Sequence, residues 1–474
     1  MRWSITFAER DYELLHSHLF PGDDDEHGAV LACGISETGR GSRLLVREVF
    51  LAKDGSDFVA GQRGYKQFTP LFVAEKSGYC RTNSLAYVAV HNHGGRGEVE
   101  FSPDDLRSQE RGYPALVQMT EKPVTALVLA EEAVAGRVFA GSGRHELNSA
   151  TILGPTVRTL RPRPAASPAP TDEAYDRQAR MFGDRGQEIL GRLKVAVIGV
   201  GGGGSLVNQM LARLGVGHIL AVDPDLVDES NLSRIPGATR RDALGVFPDV
   251  RLPLFRRLAK RTVRSKVEVA ERVAREANGN VRFEPVRGDA MDPDVARRLL
   301  DCDFVFLATD TMRSRHLFNQ VVHQYLIPGA QIGAKVPVDE NGAVGNVRVV
   351  VRPVVPDAGC LWCGGAISPA QLNREALSPE ERERQRYVED PNVHEPSVIT
   401  LNAIGASQAV NDFLFMFTGL HEPNTHLRGR FQWTRRREWD DIGDKPDPQC
   451  RHCGGGPKSA YARGDAARLP TGTG

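Results

Sequence analysis

The chain has 474 residues, and its 60 lysines and arginines balance its 60 aspartates and glutamates, which gives a formal net charge of zero. A neutral chain carries no long-range field that would favour nucleic acid or an anionic membrane over a protein or small-molecule partner. The length predicts two or three domains, and because neither an apolar signal-peptide core nor a membrane-length apolar stretch is visible, we expect a cytoplasmic protein without a membrane segment.

The first 150 residues predict a small α/β domain. Alternating or continuous apolar runs are typical of strands at 27–35, 42–52, 85–93 and 124–130, and two segments at 9–20 and 103–113 are typical of helices. A stretch rich in proline and alanine predicts a linker over residues 151–172.

Two histidines end one of these strands. His91 and His93 are alternate residues, so both imidazoles can face one ion, and Asp105 on the following helix can supply a third ligand. Three protein ligands leave a fourth position for water, which is the geometry of a catalytic zinc site. Glu26, just before a strand, can act as the general base for that water. The alternative is a surface histidine pair in a glycine-rich loop.

These residues resemble the JAMM/MPN metalloprotease motif, in which a glutamate before a strand is followed by His-x-His and then by Ser-x-x-Asp. The resemblance implies hydrolysis of peptide or isopeptide bonds at the C-terminus of ubiquitin-like proteins, with Ser102 at the oxyanion. Gly94 replaces the usual proline and the following loop is longer. Asp104 therefore competes with Asp105 as the ligand, and Glu48 competes with Glu26 as the base. A degenerate domain that only binds its partner is a further alternative.

Residues 173–455 predict a second domain with a Rossmann-like, doubly wound parallel sheet, because strands and helices alternate. The predicted strands are 194–200, 218–223, 281–286 and 303–309, and the predicted helices are 204–215, 266–278 and 295–301. A glycine-rich, polar end predicts a disordered tail over residues 456–474.

A glycine loop lies between the first of these strands and its helix. It contains Gly199, Gly201, Gly202 and Gly204. Glycines let the backbone approach a phosphate, and the helix N-terminus offers N–H groups and a positive dipole end. Asp223 ends the next strand, where its carboxylate can accept hydrogen bonds from a ribose. The loop alone is compatible with NAD, FAD or ATP.

The residues that follow favour ATP. Asn231, Arg234, Lys266 and Asp310 succeed one another after the ribose carboxylate. A triphosphate with Mg²⁺ needs a carboxylate for the metal and cations for the phosphates, which a nicotinamide site does not. For any one of these residues a solvated surface charge would be the ordinary explanation, but the ordered set indicates triphosphate chemistry.

The ordered set resembles the ThiF/MoeB/ubiquitin-activating superfamily, from residue 175 to about residue 420. The resemblance implies ATP-dependent adenylation of the C-terminal carboxylate of a small β-grasp protein. Asp223 would bind ribose, and Asp310 would bind Mg²⁺. The phosphates would be held by Asn231, Arg234 and Lys266. Arg177 matches an arginine that reaches the γ-phosphate of the neighbouring subunit, which implies a homodimer. The segment 235–265 is longer than usual, so Lys266 fits the pattern only if that segment is an insertion.

Two Cys-x-x-Cys pairs predict a structural zinc site with four thiolates. The pairs are Cys360 with Cys363 and Cys450 with Cys453. A redox pair at either motif and four unrelated buried thiols are the alternatives.

The segment 388–410 holds no cysteine where relatives that pass on a ubiquitin-like protein carry their thioester cysteine. Ser397 stands in that place, with His394 nearby as a base, and could act as a nucleophile. The ordinary explanation is that Ser397 caps the helix that follows.

Taken together, the motifs predict one domain that adenylates a ubiquitin-like or sulfur-carrier β-grasp protein and another, a zinc peptidase, that processes or removes it. A conjugating enzyme is a further candidate partner. The expected cofactors are ATP, Mg²⁺ and two Zn²⁺ ions. One alternative is an NAD(P)-dependent oxidoreductase fused to a metal-binding module, and another is a non-catalytic scaffold that binds ubiquitin-like proteins.

Overall fold

The structure is a computed structural model. It describes residues 2–23, 25–59, 66–141, 143–245, 262–356, 358–377, 396–422, 425–443 and 446–472. The chain divides into two compact units. Unit 1 comprises Met1–Ser167, His323–Leu326 and Asp447–Arg468, and unit 2 comprises Pro168–Val322, Ile327–Pro446 and Leu469–Gly474. No helix among the described residues has both the length and the apolar character that a membrane crossing requires.

Unit 1 contains one mixed sheet of eight strands. The strands are β1 (Trp3–Ala8), β2 (Gly28–Thr38), β3 (Gly41–Leu51), β4 (Ala86–Asn92), β5 (Val124–Leu129), β6 (Val134–Ala140), β7 (Gly143–Leu153) and β8 (Arg158–Leu160). Their order is β1-β3-β2-β4-β5-β6-β7-β8, and β1 also pairs with β7, so the sheet closes on itself. The helices are α1 (Glu9–Leu19), α2 (Pro70–Thr82) and α3 (Pro103–Thr120).

The closed sheet encloses an apolar core. Ile5, Phe7, Leu31 and Val88 are almost fully buried within it, because alternate residues of each strand face inward. Helix α3 begins where the sequence predicts. The Ser102 side chain accepts a hydrogen bond from the Asp105 N–H, and the Asp105 side chain accepts one from the Ser102 N–H. This capping box fixes the start of the helix that carries Asp105.

Unit 2 contains a second sheet of eight strands. The strands are β9 (Lys194–Ile198), β10 (His218–Val222), β11 (Arg282–Val286), β12 (Phe304–Leu307), β13 (Gly329–Lys335), β14 (Arg348–Val354), β15 (Gly429–Trp433) and β16 (Glu438–Ile442). Their order is β11-β10-β9-β12-β13-β14-β15-β16. The first five strands pair in parallel, and the last three continue the sheet in antiparallel fashion.

Helices cross between the parallel strands. The helices of this part of the chain are α4 (Asp176–Arg192), α5 (Gly202–Arg213), α6 (Arg240–Leu244), α7 (Lys266–Ala277), α8 (Pro293–Leu299), α9 (Met312–Tyr325), α10 (Pro369–Ala376) and α11 (Ile399–Thr418). Strand β9 is buried along its whole length, as expected of a parallel strand covered on both faces. The α/β fold with a Rossmann-like sheet is confirmed, and the three antiparallel strands extend it beyond the prediction.

The division of the chain differs from the predicted one at three places. Residues 447–455, which were predicted to end the second domain, belong to unit 1. The expected linker 151–172 includes the end of β7 and all of β8, and unit 1 runs to Ser167. The expected disordered tail is described as far as residue 472. Its Tyr461 and Ala462 are buried in an apolar cluster with Ala8 and Leu45. Composition suggested disorder, but the burial of these apolar side chains and hydrogen bonds such as that from Arg47 Nη2 to the Gly456 oxygen attach the tail to unit 1.

Candidate functional sites

The glycine loop of unit 2 is shaped by two close backbone approaches. Gly199 has a φ of +85°, and a Cβ there would lie 2.6 Å from Thr309 Cγ2. A Cβ on Gly204 would lie only 1.8 Å from the Gly199 oxygen, so only glycine fits. Helix α5 starts at Gly202 after Gly201, and no side chain caps its first turn. The N–H groups of that turn are therefore oriented as an anion site requires.

Asp223 lies beside this loop, immediately after β10. The Val200 N–H donates to Asp223 Oδ2 at 2.7 Å, and the Asp225 N–H donates to Oδ1 at 2.9 Å. The residue is only 4% exposed. Burial raises the pKa of the Asp223 carboxyl, against the opposing effect of Lys266. The backbone bonds hold the carboxylate in one orientation at the end of the strand.

Lys266 reaches the same place from the start of α7. Its Nζ lies 3.8 Å from Asp223 Oδ1 and 2.6 Å from Asp225 Oδ2. Ser265 caps α7 through a capping box with Glu268, which fixes the position of the lysine. Part of the long segment before it, residues 246–261, lies outside the described residues. The structure thus brings together Asp223 and Lys266, as the sequence pattern requires.

Asn231 and Arg234 lie in the turn that follows. Asn231 is 2% exposed, and its amide Nδ2 donates to Asp228 Oδ1 at 3.0 Å in a local capping box. Arg234 is half-buried, and its N–H donates to the Asn231 oxygen. In this structure the Asn231 side chain stabilises its own turn. Phosphate binding by both residues stays a prediction.

Asp310 lies in the loop after β12 and is exposed. Thr309, the residue before Asp310, lies against the glycine loop, where its side chain occupies the space that a Cβ on Gly199 would need. Arg315 is close enough for Asp310 to act on its charge, and burial lowers the pKa of the Arg315 guanidinium. Arg315 Nη1 donates to the Ala366 oxygen at 2.9 Å. The carboxylate of Asp310 is therefore exposed on a loop that borders the glycine turn.

Ser397 also lies next to the glycine loop. A Cβ on Gly202 would lie 3.4 Å from Ser397 Oγ and 2.3 Å from Asn402 Nδ2. Asn402 Nδ2 donates to Ser397 Oγ at 3.1 Å. The expected helix cap is wrong, because α11 begins after Val398 and no side chain caps it. His394 lies outside the described residues. Sequence reasoning missed Asn402, although a lone amide in the apolar start of α11 was a usable signal.

Arg177 stands on the first turn of α4 and is exposed.

Cys360 and Cys363, also in unit 2, lie at a tight turn with their Sγ atoms 3.5 Å apart. Cys450 lies at a second turn, where its Sγ accepts a hydrogen bond from the His452 N–H at 3.4 Å. None of the seven cysteines is in a disulfide.

In unit 1 the structure brings His91, His93 and Asp105 together. The two Nε2 atoms are 3.2 Å apart, and each lies 3.3 Å from one oxygen of Asp105. The three groups could hold one metal ion. Burial would raise the pKa of the Asp105 carboxyl, but hydrogen bonds with His91 and His93 hold that pKa well below its ordinary value. The pKa of His93 is raised by its hydrogen bond with Asp105.

Further groups surround this cluster. His93 Nδ1 lies 3.1 Å from the Glu100 oxygen, an outer contact that fixes the ring and leaves Nε2 for a metal. Glu26 Oε1 lies 4.0 Å from His93 Nε2. Ser102 Oγ donates to Asp105 Oδ2 at 2.7 Å. In the structure Ser102 thus orients the carboxylate, and an oxyanion role for it stays a prediction.

The rival residues have other contacts. The Asp104 side chain pairs with Arg107 and is largely exposed. Glu48 accepts a hydrogen bond from the Tyr79 hydroxyl at 3.3 Å. The geometry therefore favours Asp105 over Asp104 as the ligand and Glu26 over Glu48 as the base.

Comparisons with known proteins find relatives for the second half of the chain. The model of the ThiF family matches residues 175–452. The chain is 30% identical over 193 residues to the SAMP-activating enzyme E1 of Haloferax volcanii, which covers 40% of this chain and 61% of that enzyme. It is 29% identical over 172 residues to the molybdopterin-synthase adenylyltransferase of Escherichia coli, which covers 36% of this chain and 58% of that enzyme.

The chain thus spans about three fifths of the length of these two relatives. Among solved structures, E. coli MccB in complex with N-formylated MccA matches with a TM-score of 0.45 and 17% identity, over 60% of this chain and 75% of that one.

Proposed function

The chain belongs to the ThiF family, and from that premise we propose that unit 2 uses ATP and Mg²⁺ to adenylate the C-terminal carboxylate of a small β-grasp protein. The names of the two curated relatives refer to activation of SAMP and to molybdopterin synthase. A ubiquitin-like or sulfur-carrier protein is therefore the proposed substrate class. The observation that carries the proposal is the meeting of Asp223 and Lys266 beside the glycine loop.

The reaction needs positioning and charge neutralisation. A carboxylate oxygen of the substrate attacks the α-phosphorus of ATP, the bond between the α-phosphorus and the bridging oxygen breaks, and pyrophosphate leaves with the electron pair. The product is an acyl adenylate, whose carbonyl is far more electrophilic than a carboxylate. Protein cations and dipoles that face the phosphates lower the barrier because negative charge develops there.

Each residue has a proposed part in this step. Asp223 accepts hydrogen bonds from the ribose, and Lys266 exchanges Asp225 for phosphate oxygens. Asp310 binds Mg²⁺ from the loop that borders the glycine turn. Further phosphate contacts come from Asn231, Arg234 and, across a homodimer interface, Arg177 of the neighbouring copy. The exposure of Arg177 is compatible with such a contact.

The test is carrier-dependent exchange between ATP and labelled pyrophosphate. The variant Asp310→Ala should abolish exchange and leave the peptidase activity of unit 1 intact. Unchanged exchange would refute the assignment. The oxidoreductase alternative predicts tight NAD(P)H binding and no carrier-dependent exchange, so the same samples distinguish the two classes.

A second step at Ser397 is proposed on its position next to Gly202. Attack of Ser397 Oγ on the acyl adenylate would form an oxyester and release AMP, with the hydroxyl proton passing to a base. The ester should appear as a covalent adduct that hydroxylamine cleaves. The variant Ser397→Ala should lack the adduct and retain exchange.

Two zinc sites complete the proposal. We propose that Cys360, Cys363, Cys450 and Cys453 supply four thiolates to one structural zinc ion, as the two Cys-x-x-Cys pairs predict. A closed S₄ shell stabilises structure and leaves no position for substrate. In unit 1, His91, His93 and Asp105 would hold a catalytic zinc ion with one position open for water. When bound, that ion would supply the acidity that makes its water a nucleophile at neutral pH.

The peptidase proposal has Glu26 accept the proton of the attacking water, because Glu26 Oε1 lies 4.0 Å from His93 Nε2 and the nearer carboxylate, Asp105, is assigned as a metal ligand. The substrate class would be a precursor or conjugate of the same β-grasp protein, cut after its terminal residue. The test is zinc-dependent cleavage of such a fusion. The variant Glu26→Gln should retain zinc and lose cleavage, and full activity of this variant would contradict the role.

A further inference from the structure

A cavity of about 320 Å³ opens directly beside the candidate zinc ligands of unit 1. It is lined on one side by Tyr87, Ala89 and His91, which are alternate residues of β4. Alternate residues of a strand share one face. The face of β4 that presents His91 to the metal therefore continues as a wall of the cavity.

Helix α3 forms the facing wall in the same way. Asp105, Gln109, Tyr113 and Leu116 line the cavity, and their spacing of three or four residues places them on one stripe of the helix. The stripe begins at the zinc ligand Asp105. A molecule whose reacting bond lies at the metal would therefore extend along both walls.

The lining is mostly apolar and includes phenylalanine and tyrosine side chains, although Lys66 and Gln67 also line it. Phe58 and Phe68 add stacked rings whose centroids are 5.4 Å apart, and the Tyr87 side chain is 1% exposed to solvent. Small residues, among them Gly28, Gly112 and Ala126, leave the interior open. The volume is at the lower end of ligand pockets, which begin at about 300 Å³. This combination suits one large, flat, apolar side chain.

One polar group in the wall has no partner. Gln109 is only 3% exposed, and its Oε1 has no hydrogen-bond partner among the described residues. Buried acceptors are normally paired, because leaving one unpaired costs stability. The oxygen itself has almost no accessible surface, so a ligand that brings a hydrogen-bond donor into the cavity would pair it once the amide rotates toward the cavity.

From these features we propose that the cavity is a specificity pocket for an aromatic side chain that carries a hydrogen-bond donor, as tyrosine does. This inference rests on the proposed peptidase function of unit 1. If the β-grasp protein ends in glycine, its terminal residue has no side chain to fill such a pocket. The residue whose aromatic side chain fills the cavity then belongs to the leaving group. It immediately follows the bond that is cut.

The experiment uses the full chain loaded with Zn²⁺ and two small probes. N-acetyltyrosinamide and N-acetylphenylalaninamide differ only in the hydroxyl donor, and their binding is measured by ligand-observed NMR titration. The tyrosine probe should bind about fivefold more tightly, as one net hydrogen bond allows. In Gln109→Leu the difference between the two probes should vanish.

A filling variant tests the location. A Cβ on Gly112 meets nothing within 4 Å, so Gly112→Leu should fold and obstruct the cavity, which would weaken both probes at least tenfold. Gly78→Leu is the matched control, since Gly78 lies on helix α2, also has open space around its Cβ and does not line the cavity. Equal binding of the probes to Gly112→Leu and to wild type would overturn the proposal.

The pocket and the peptidase can fail separately. If the probes bind as expected but no β-grasp fusion is cleaved, the pocket stands and the peptidase function falls. If fusions are cleaved at equal rates whether tyrosine, phenylalanine or alanine follows the bond, the function stands and the specificity pocket is overturned.

Discussion

Lys266 Nζ lies 3.8 Å from Asp223 Oδ1, although a long segment separates the two residues in the chain. The contact joins the start of α7 to the end of β10, the two places where the ribose and the phosphates of a nucleotide would lie. Lys266 reaches the Asp223 carboxylate despite the extended segment before it, because α7 packs on α5 and β11 as a crossover helix does.

Loss of either partner should reduce adenylation in a different way. Lys266→Ala should lower the rate of pyrophosphate exchange about 100-fold, because one cation that faces the developing charge is lost. Asp223→Asn should mainly raise the KM for ATP, since the ribose contact exists before and during the reaction. Steady-state exchange at varied ATP separates the two effects. Lys458→Ala, which removes an exposed lysine of unit 1, should match wild type.

The sequence predicted what periodicity and turn chemistry determine locally. The strand before the glycine loop, the start of α3 and the cluster of His91, His93 and Asp105 were all predicted from short patterns. The antiparallel strands β14 to β16 were missed, since their pairing depends on partners distant in sequence. The burial of Tyr461 was missed for the same reason. A glycine-rich tail looks disordered until its few apolar residues find a surface.

Zinc content should report the two metal sites independently. Wild type should carry two Zn²⁺ ions per chain. Asp105→Asn should carry one, because a neutral amide is a weak zinc ligand, while Glu26→Gln should keep both. Measurement of bound zinc by plasma mass spectrometry after gel filtration checks this. Two ions retained in Asp105→Asn would contradict the assignment of that ligand.

Arg177 should act across a homodimer. Arg177→Ala and Asp310→Ala should each be inactive alone in pyrophosphate exchange. When the two variants are mixed and allowed to exchange subunits, half of the dimers become mixed, and each mixed dimer has one intact site. About a quarter of wild-type activity should therefore return. An absence of complementation, with exchange of subunits verified by mass spectrometry, would place Arg177 in its own subunit's site or in none.

The tail should contribute to the stability of unit 1. Tyr461 is 2% exposed, and its hydroxyl donates to Asp11 Oδ2 at 3.4 Å. Tyr461→Ala should lower the free energy of unfolding by about 3 kcal/mol, as truncations of large core side chains do. Tyr461→Phe, which removes only the hydrogen bond, should cost about 1 kcal/mol. Urea unfolding, monitored by hydrogen exchange in β2 and β3, measures the loss of stability in both variants. Equal stability of wild type and Tyr461→Ala would mean that the tail is not packed in solution.

The last prediction concerns pH. Asp412 lies on α11, and burial raises its pKa to about 6, although a hydrogen bond from Gln408 and the charge of Arg430 oppose the shift. Unfolded, the same carboxyl titrates near 3.9. The folded state therefore holds the proton more tightly, and the stability linked to that proton is fully present below about pH 4 and is lost as pH rises through about 6.

A pKa that differs by about two units between the folded and unfolded states lowers the free energy of unfolding at neutral pH by roughly 2–3 kcal/mol. Asp412→Asn is uncharged at every pH and keeps an oxygen to accept the bond from Gln408. The variant should therefore match wild type near pH 4 and exceed it by that amount above pH 7. Thermal unfolding of unit 2 across this range measures the difference. If the difference between variant and wild type does not change with pH, the carboxyl of Asp412 is solvated in the folded state and the buried position of this face of α11 is wrong.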